Sequence, residues 1–209
     1  VLGTVVLVLA RPAPTAAQSA QTLLAPFEWR NIGPANMAGR VTDIEAVEAN
    51  PAVVFVGAAS GGVWKSTDAG TTLTPIFTDY GSSNIGDIAV FQPNPDIVWV
   101  GTGESCVRNS VGWGDGVYKS TDGGESWTRL SRGLPTGPTG KIGLAIHRNN
   151  PRTLVAIVEH VYQPLPRVDG RANPDYRDMT RLGSGIYRSE DGGTSWSYLS
   201  RYNNRPFYY

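Results

Sequence analysis

The sequence predicts an all-β fold: a β-propeller fragment of about three four-stranded antiparallel blades plus the first strand of a fourth. Three observations predict it. One pattern of strands and turns recurs three times along the chain. Each recurrence holds four short strands, the content of a propeller blade. The composition, with 25 Gly, 15 Pro, 6 Trp and 9 Tyr in 209 residues, suits short strands joined by tight turns.

The repeats superimpose over a long register. Their most regular part reads S-T-D-A-G-T-T-L from Ser66, S-T-D-G-G-E-S-W from Ser120 and S-E-D-G-G-T-S-W from Ser189. Before each stands a glycine, an aliphatic, an aromatic and a base: Gly62-Val63-Trp64-Lys65, Gly116-Val117-Tyr118-Lys119, Gly185-Ile186-Tyr187-Arg188. Further upstream comes an alternating strand, then an Asn-Pro turn (Asn50-Pro51, Asn94-Pro95, Asn150-Pro151), then a second strand (53–57, 97–101, 153–158). The central aspartates at 68, 122 and 191 are spaced by 54 and 69 residues, and the extra length falls in the loop between second and third strands. A solenoid tolerates such unequal periods poorly. The expected blades span about 40–83, 84–140 and 141–202.

Each aspartate turn has a structural reading. Asp68, Asp122 and Asp191 can accept backbone N–H groups across a hairpin bend, as Asx turns do. Gly70, Gly124 and Gly193 supply positive φ where a side chain clashes. Ser66, Ser120 and Ser189 add a hydroxyl to the same turn. Trp127 and Trp196 are expected to pack beneath it, whereas the first copy ends in Leu73, a thinner anchor.

These segments resemble the Asp-box (BNR) repeat of sialidases, xyloglucanase-type glycoside hydrolases, the sortilin luminal domain and photosystem II assembly factors. The stretch from Phe27-Glu28-Trp29-Arg30 to Tyr209 is most similar to exported bacterial repeat proteins described as sortilin-like or glycosyl-hydrolase-like. Its most specific phrases are Met37-Ala38-Gly39-Arg40-Val41, 57–66 (GAASGGVWKS), Arg108-Asn109-Ser110 and 114–120 (GDGVYKS). Cys106-Val107 departs from the Asn-Pro that the resemblance implies. The resemblance also implies a longer protein with one or two closed propellers, of which 27–209 is the first part. Arg205-Pro206-Phe207-Tyr208-Tyr209 then reads as the opening strand of a fourth blade.

The apolar run at 1–10, followed by Arg11 and P-A-P-T-A-A-Q-S-A-Q, reads as a signal peptide over 1–20 truncated at its start; it is too short for a membrane span. Export to the periplasm, the medium or the cell surface is expected. Eighteen basic and eighteen acidic side chains balance, with no basic stripe, so nucleic acid is excluded as a partner. Cys106 is the lone cysteine and reads as a small buried hydrophobe. Neither His147 nor His160 has a partner at metal-ligand spacing, so no metal and no cofactor are expected.

In a meander, successive loops alternate between the two ends of the blade. The Asn-Pro and aspartate turns therefore share one face, and the variable loops and interblade links share the other. Two insertions enlarge that second face, at about 103–114 and 160–183. Long loops on a rigid scaffold carry binding. The candidate ligand-binding residues are Arg40, Glu104, Arg108, Asn109, Trp113, Asp115, His160 and Tyr162, with aromatics beside charges that suit a sugar or a peptide. Asn84 and Lys141 match Arg40 in the later blades. Glycoside hydrolysis needs two facing carboxylates; Glu104 and Asp115 are candidates, but spacing alone does not pair them. In xyloglucanase-type enzymes the general-base aspartate precedes a Gly-Gly-aromatic strand, where this chain has Ala59. The expected function is a binding scaffold for a protein, peptide or glycan, with a glycoside hydrolase as the alternative.

Overall fold

The computed structural model describes residues 40–105, 111–162, 167–168, 170–172 and 180–201. The leader expected at 1–20, Cys106, Arg108, Asn109 and the strand expected from Arg205 lie outside the described residues. Among those described there is no helix, so none long and apolar enough to cross a membrane.

Three four-stranded antiparallel sheets follow one another along the chain. The first comprises β1 (Val41–Val47), β2 (Asn50–Ala58), β3 (Gly62–Ser66) and β4 (Thr74–Pro75). The second comprises β5 (Ile85–Val90), β6 (Val98–Thr102), β7 (Val117–Ser120) and β8 (Thr128–Leu130). The third comprises β9 (Thr139–His147) and β10 (Asn150–His160), then, past a small hairpin of β11 (Arg167–Val168) and β12 (Arg171–Ala172), β13 (Gly185–Ser189) and β14 (Ser197–Ser200). Each is a simple meander, ordered first to fourth strand.

The meander follows from alternation. Val98 and Val100 face the first sheet, and Trp99 between them faces the third. One core layer therefore lies between the first two sheets, built on Phe55, Val63, Phe77, Ile88, Val98, Val100 and Trp127. A second lies between the last two, built on Trp99, Val117, Leu154, Ala156, Tyr187 and Trp196. The first strands β1, β5 and β9 are neighbours in space and form the inner edge of the array. Gly86 of β5 permits the approach to β9: a Cβ there would stand 2.7 Å from the Ile142 carbonyl oxygen.

The Asn-Pro pairs differ from expectation in two of three copies. The bends fall at Glu48-Ala49 and Arg148-Asn149, and Asn50-Pro51 and Asn150-Pro151 open the second strand instead. In all three copies the asparagine Oδ1 accepts the N–H two residues on, from Ala52 at 3.3 Å, Asp96 at 3.3 Å and Arg152 at 3.1 Å. What differs is the length of the connection, two residues in the first and third sheets. In the second sheet the connection is longer, closed by Phe91 N–H on the Ile97 carbonyl, and Asn94-Pro95 stays in the turn.

The three aspartate turns are one structure repeated. The Ser66 Oγ accepts the N–H groups of Asp68 and Gly70 and donates to Asp68 Oδ1 at 2.8 Å. The same carboxylate then accepts Thr72 N–H at 2.8 Å and Thr72 Oγ1–H at 2.7 Å. Ser120–Asp122–Ser126 and Ser189–Asp191–Ser195 repeat every bond. These donors hold all three carboxyls well below the usual carboxylate range, Asp191 at about 2. The largest cause is the Thr72 N–H for Asp68, the Ser120 hydroxyl for Asp122 and the Ser195 hydroxyl for Asp191. Two successive residues take positive φ in each turn, Ala69-Gly70, Gly123-Gly124 and Gly192-Gly193. Ala69, at φ 59°, bears the strain of a side chain in the left-handed region.

Candidate functional site

The end of the sheets opposite the aspartate turns gathers the openings of the inner strands and both insertions. Here the first insertion is tied down across all three sheets. Glu104, buried at the end of β6, forms an ion pair with Arg40 at the start of β1. Its backbone N–H bonds to the Gly112 carbonyl at 3.0 Å, and its Oε2 accepts Gly112 N–H at 3.0 Å, closing the neck of the loop. Gly114 then exchanges two backbone bonds with Thr139 at the start of β9, at 2.7 and 2.9 Å. The loop that springs from the second sheet is thus pinned to the first and the third.

Between these anchors stands Trp113. Its carbonyl accepts Ser82 Oγ–H at 2.7 Å and Asn84 Nδ2–H at 2.9 Å, both from the link into β5. Gripped by its backbone, the residue holds its indole outward, and the residue is 57 % exposed. An exposed aromatic ring on an anchored backbone offers a stacking surface for the apolar face of a sugar or for a peptide side chain.

Asp115 is employed otherwise. Its Oδ2 accepts the Tyr118 hydroxyl at 2.6 Å, and its backbone N–H donates to Thr102 Oγ1 at 2.9 Å. Arg129 donates to its carbonyl. Burial, and then the bond to Asp115, push the Tyr118 hydroxyl up to about 12, so this phenol stays a donor and holds the carboxylate inside the second sheet. Glu159, buried near the end of β10, accepts Lys141 N–H at 3.4 Å.

His160 is buried with both ring nitrogens engaged. Tyr162 N–H donates to Nδ1 at 3.1 Å, so Nε2 carries the proton and donates to the Thr136 carbonyl at 3.1 Å. The imidazole is a brace at the root of the second insertion. Above it the Arg181 guanidinium lies over the Tyr162 ring, 3.7 Å from its centre. His147 is exposed at the end of β9, where Nδ1 accepts the Asn149 N–H at 3.3 Å.

Of the candidates read from the sequence, the structure therefore brings Arg40 and Glu104 together, sets Trp113 beside Asn84, and seats His160 under Tyr162. Asp115 is turned into its own sheet. Ser82, Glu159 and Arg181 belong to this face and were not singled out. Glu159 alone carried a signal, an acidic residue closing the apolar run 154–158. Among the described residues, Glu104 is ion-paired, Asp115 is hydrogen-bonded, and Ala59 occupies a buried place with its N–H on the Arg40 carbonyl at 2.8 Å. Among the described residues no group of three or more His, Cys, Asp or Glu stands together as a metal site.

No protein-family model matches the chain. It is similar to a xyloglucanase of a Paenibacillus species, 23 % identical over 189 residues, which are 88 % of this chain and 17 % of that protein. The chain thus spans under a fifth of the length of the curated relative it matches. Among solved structures it is similar to an ancestral GH74 enzyme, with a TM-score of 0.55 and 18 % identity over 79 % of this chain and 19 % of that one. It is also similar to YCF48 from Cyanidioschyzon merolae, with a TM-score of 0.47 and 19 % identity over 82 % of this chain and 43 % of that one. The three meanders and the first of these solved structures agree: the chain has the fold of a β-propeller.

Proposed function

We propose that residues 27–209 are part of an exported Asp-box propeller whose insertion face binds a glycan. The single observation that carries this reading is Trp113, an exposed aromatic residue whose backbone carbonyl is anchored by two side-chain bonds. An aromatic side chain has few rotors to order on binding, and its face suits the C–H surface of a pyranose ring. The similarity to a xyloglucanase supports a β-linked glucan as the ligand class. A peptide or protein ligand would use the same platform; among the described residues the Arg181–Tyr162 stack is the feature that favours it.

Titration calorimetry with xyloglucan oligosaccharides tests the reading. Trp113→Ala is expected to weaken binding by about tenfold or more, the loss of an aromatic anchor worth ~1.5–2 kcal/mol. Because the indole is exposed, the melting temperature should hardly move. Equal affinity in the two proteins would remove Trp113 from the site and the reading with it.

The second reading, a glycoside hydrolase, rests on the same similarity to a xyloglucanase. On this reading the catalytic carboxylates lie partly outside the stretch described, with Glu104 or Asp115 as the one within it. Release of reducing sugar from xyloglucan, abolished by Glu104→Gln, would favour it over a scaffold.

A further inference from the structure

The second insertion carries a cation that the Trp113 platform leaves without a role. Tyr162 is seated through its own backbone: its N–H donates to His160 Nδ1 at 3.1 Å, and its carbonyl accepts Ser184 N–H at 3.0 Å. Its ring lies against Gly183, where a Cβ would stand 2.6 Å from Tyr162 Cδ1, and its hydroxyl is buried. Over this ring the Arg181 guanidinium stands 3.7 Å from the centre. Stacking on an aromatic face holds a guanidinium in place and leaves its N–H edges for a planar anion. Arg181 is exposed, and among the described residues it makes no hydrogen bond or ion pair.

The charges around it suit the same kind of ligand. At the roots of the two insertions Glu104 is engaged by Arg40, Asp115 by Tyr118, and Glu159 is buried. Arg171 of the small hairpin is exposed and, among the described residues, unpaired. The exposed charges of the described insertion residues are therefore positive.

Trp113 stands close enough to share a ligand with the stack. Gly114 is bridged to Thr139, and Thr139 is in register with His160, so the three lie side by side. Two strand spacings, about 10 Å, separate the first from the last, roughly the span of two linked pyranose rings. Trp113 directly precedes Gly114, and Tyr162 follows His160 by two residues.

We propose that Arg181, held on Tyr162, is a subsite for a carboxylate on the glycan, so that the ligand is an acidic, uronate-bearing oligosaccharide; this rests on the reading of Trp113 as a glycan platform. An acidic peptide would meet the stack as well, but an extended peptide is held chiefly by backbone bonds. The backbone N–H groups of Gly103, Gly114 and Ser184 on this face already donate to Asn84, Thr139 and Tyr162.

Calorimetry with two probes tests the proposal: a xyloglucan oligosaccharide, and the same oligosaccharide with a side-chain primary alcohol oxidised to a carboxylate. The parent protein should bind the oxidised probe about tenfold more tightly, the effect of one charge-assisted contact, and the gain should shrink as salt is raised. Arg181→Gln should bring the oxidised probe down to the affinity of the neutral one. Trp113→Ala should weaken both probes and keep the gain between them. Equal affinity of the parent for the two probes, or a gain that survives Arg181→Gln, would overturn the subsite while the glycan reading stood. Binding of neither probe, or of an acidic peptide alone, would overturn both together.

Discussion

Trp99→Ala is expected to cost the fold about 4 kcal/mol, the upper part of the range for deleting a fully buried aromatic. Trp99 fills the layer between the second and third sheets without exposure to solvent. Its indole N–H donates to the Gly192 carbonyl at 3.2 Å, and the Lys119 ammonium lies 5.1 Å from the ring centre. Truncation leaves a void that β6 and β10 cannot close, since Gly101 already brings the backbones of β6 and β9 together. It also strips one of two donors from Gly192. Trp99→Phe restores the side chain that the first sheet uses at the same place, Phe55, and should recover more than half of the loss. Urea unfolding of the three proteins gives both numbers. A midpoint for Trp99→Ala within error of the parent would contradict the packing.

Asp87→Asn should stabilise the protein at pH 8 and leave its stability at pH 4 nearly unchanged. Asp87 of β5 lies at the inner edge, where its Oδ2 accepts Leu144 N–H of β9 at 2.7 Å. One sheet earlier, Asp43 of β1 accepts Ile88 N–H at 2.7 Å in the same way. The inner strands are thus strapped, sheet to sheet, by carboxylates, and Gly143 holds the third place. Burial, opposed by the Leu144 bond and reinforced by Asp43 alongside, pushes the Asp87 carboxyl up to about 7. In the unfolded chain it titrates near pH 4. Between these values the folded state binds the extra proton, so stability falls as pH rises from about 4 to about 7 and stays low above. Asparagine keeps the carbonyl for Leu144 and offers an N–H to Asp43 without the buried charge. The expected gain at pH 8 is on the order of 2 kcal/mol, about half of what the full shift implies, because the site relaxes when charged. Glu45 is also raised, chiefly by burial and then by Asp43 and Glu48, so part of the slope survives the substitution. Denaturant midpoints from pH 4 to 8 measure it; a variant less stable than the parent at pH 8 would refute the cost assigned to the buried charge.

The fold was legible in the sequence because its determinants are local. Ser66, Asp68 and Gly70, and their two sets of counterparts, lie within five residues of one another, and the turn they make is closed by their own side chains. Alternation in 98–100 and 154–158 placed the strands. What stayed hidden is what spans sheets. That Trp127 donates from Nε1 to the Ile76 carbonyl of the preceding sheet, at 2.9 Å, depends on two residues 51 apart. The straps of Asp43 and Asp87 and the bonds from Lys65 to Gly123 and from Lys119 to Gly192 cross between sheets in the same way. The candidate face was found by loop length alone. Its order could not be read there, because Glu104 and Arg40 meet only when two sheets pack, and Asp115 is drawn inward by a tyrosine three residues on. The first positive-φ residue of each turn, Ala69, Gly123 or Gly192, was not read from the sequence, and at Ala69 the residue type gives no sign of a left-handed backbone.

Amide hydrogen exchange at Thr72, Ser126 and Ser195 tests the repeated turn most directly. These N–H groups lie at or near the surface but donate to aspartate Oδ1 atoms at 2.8, 2.9 and 2.8 Å. All three should exchange far more slowly than free amides, and Asp122→Ala should release Ser126 while leaving the other two protected. Three amides exchanging at the rate of an unstructured chain would contradict the account at its root.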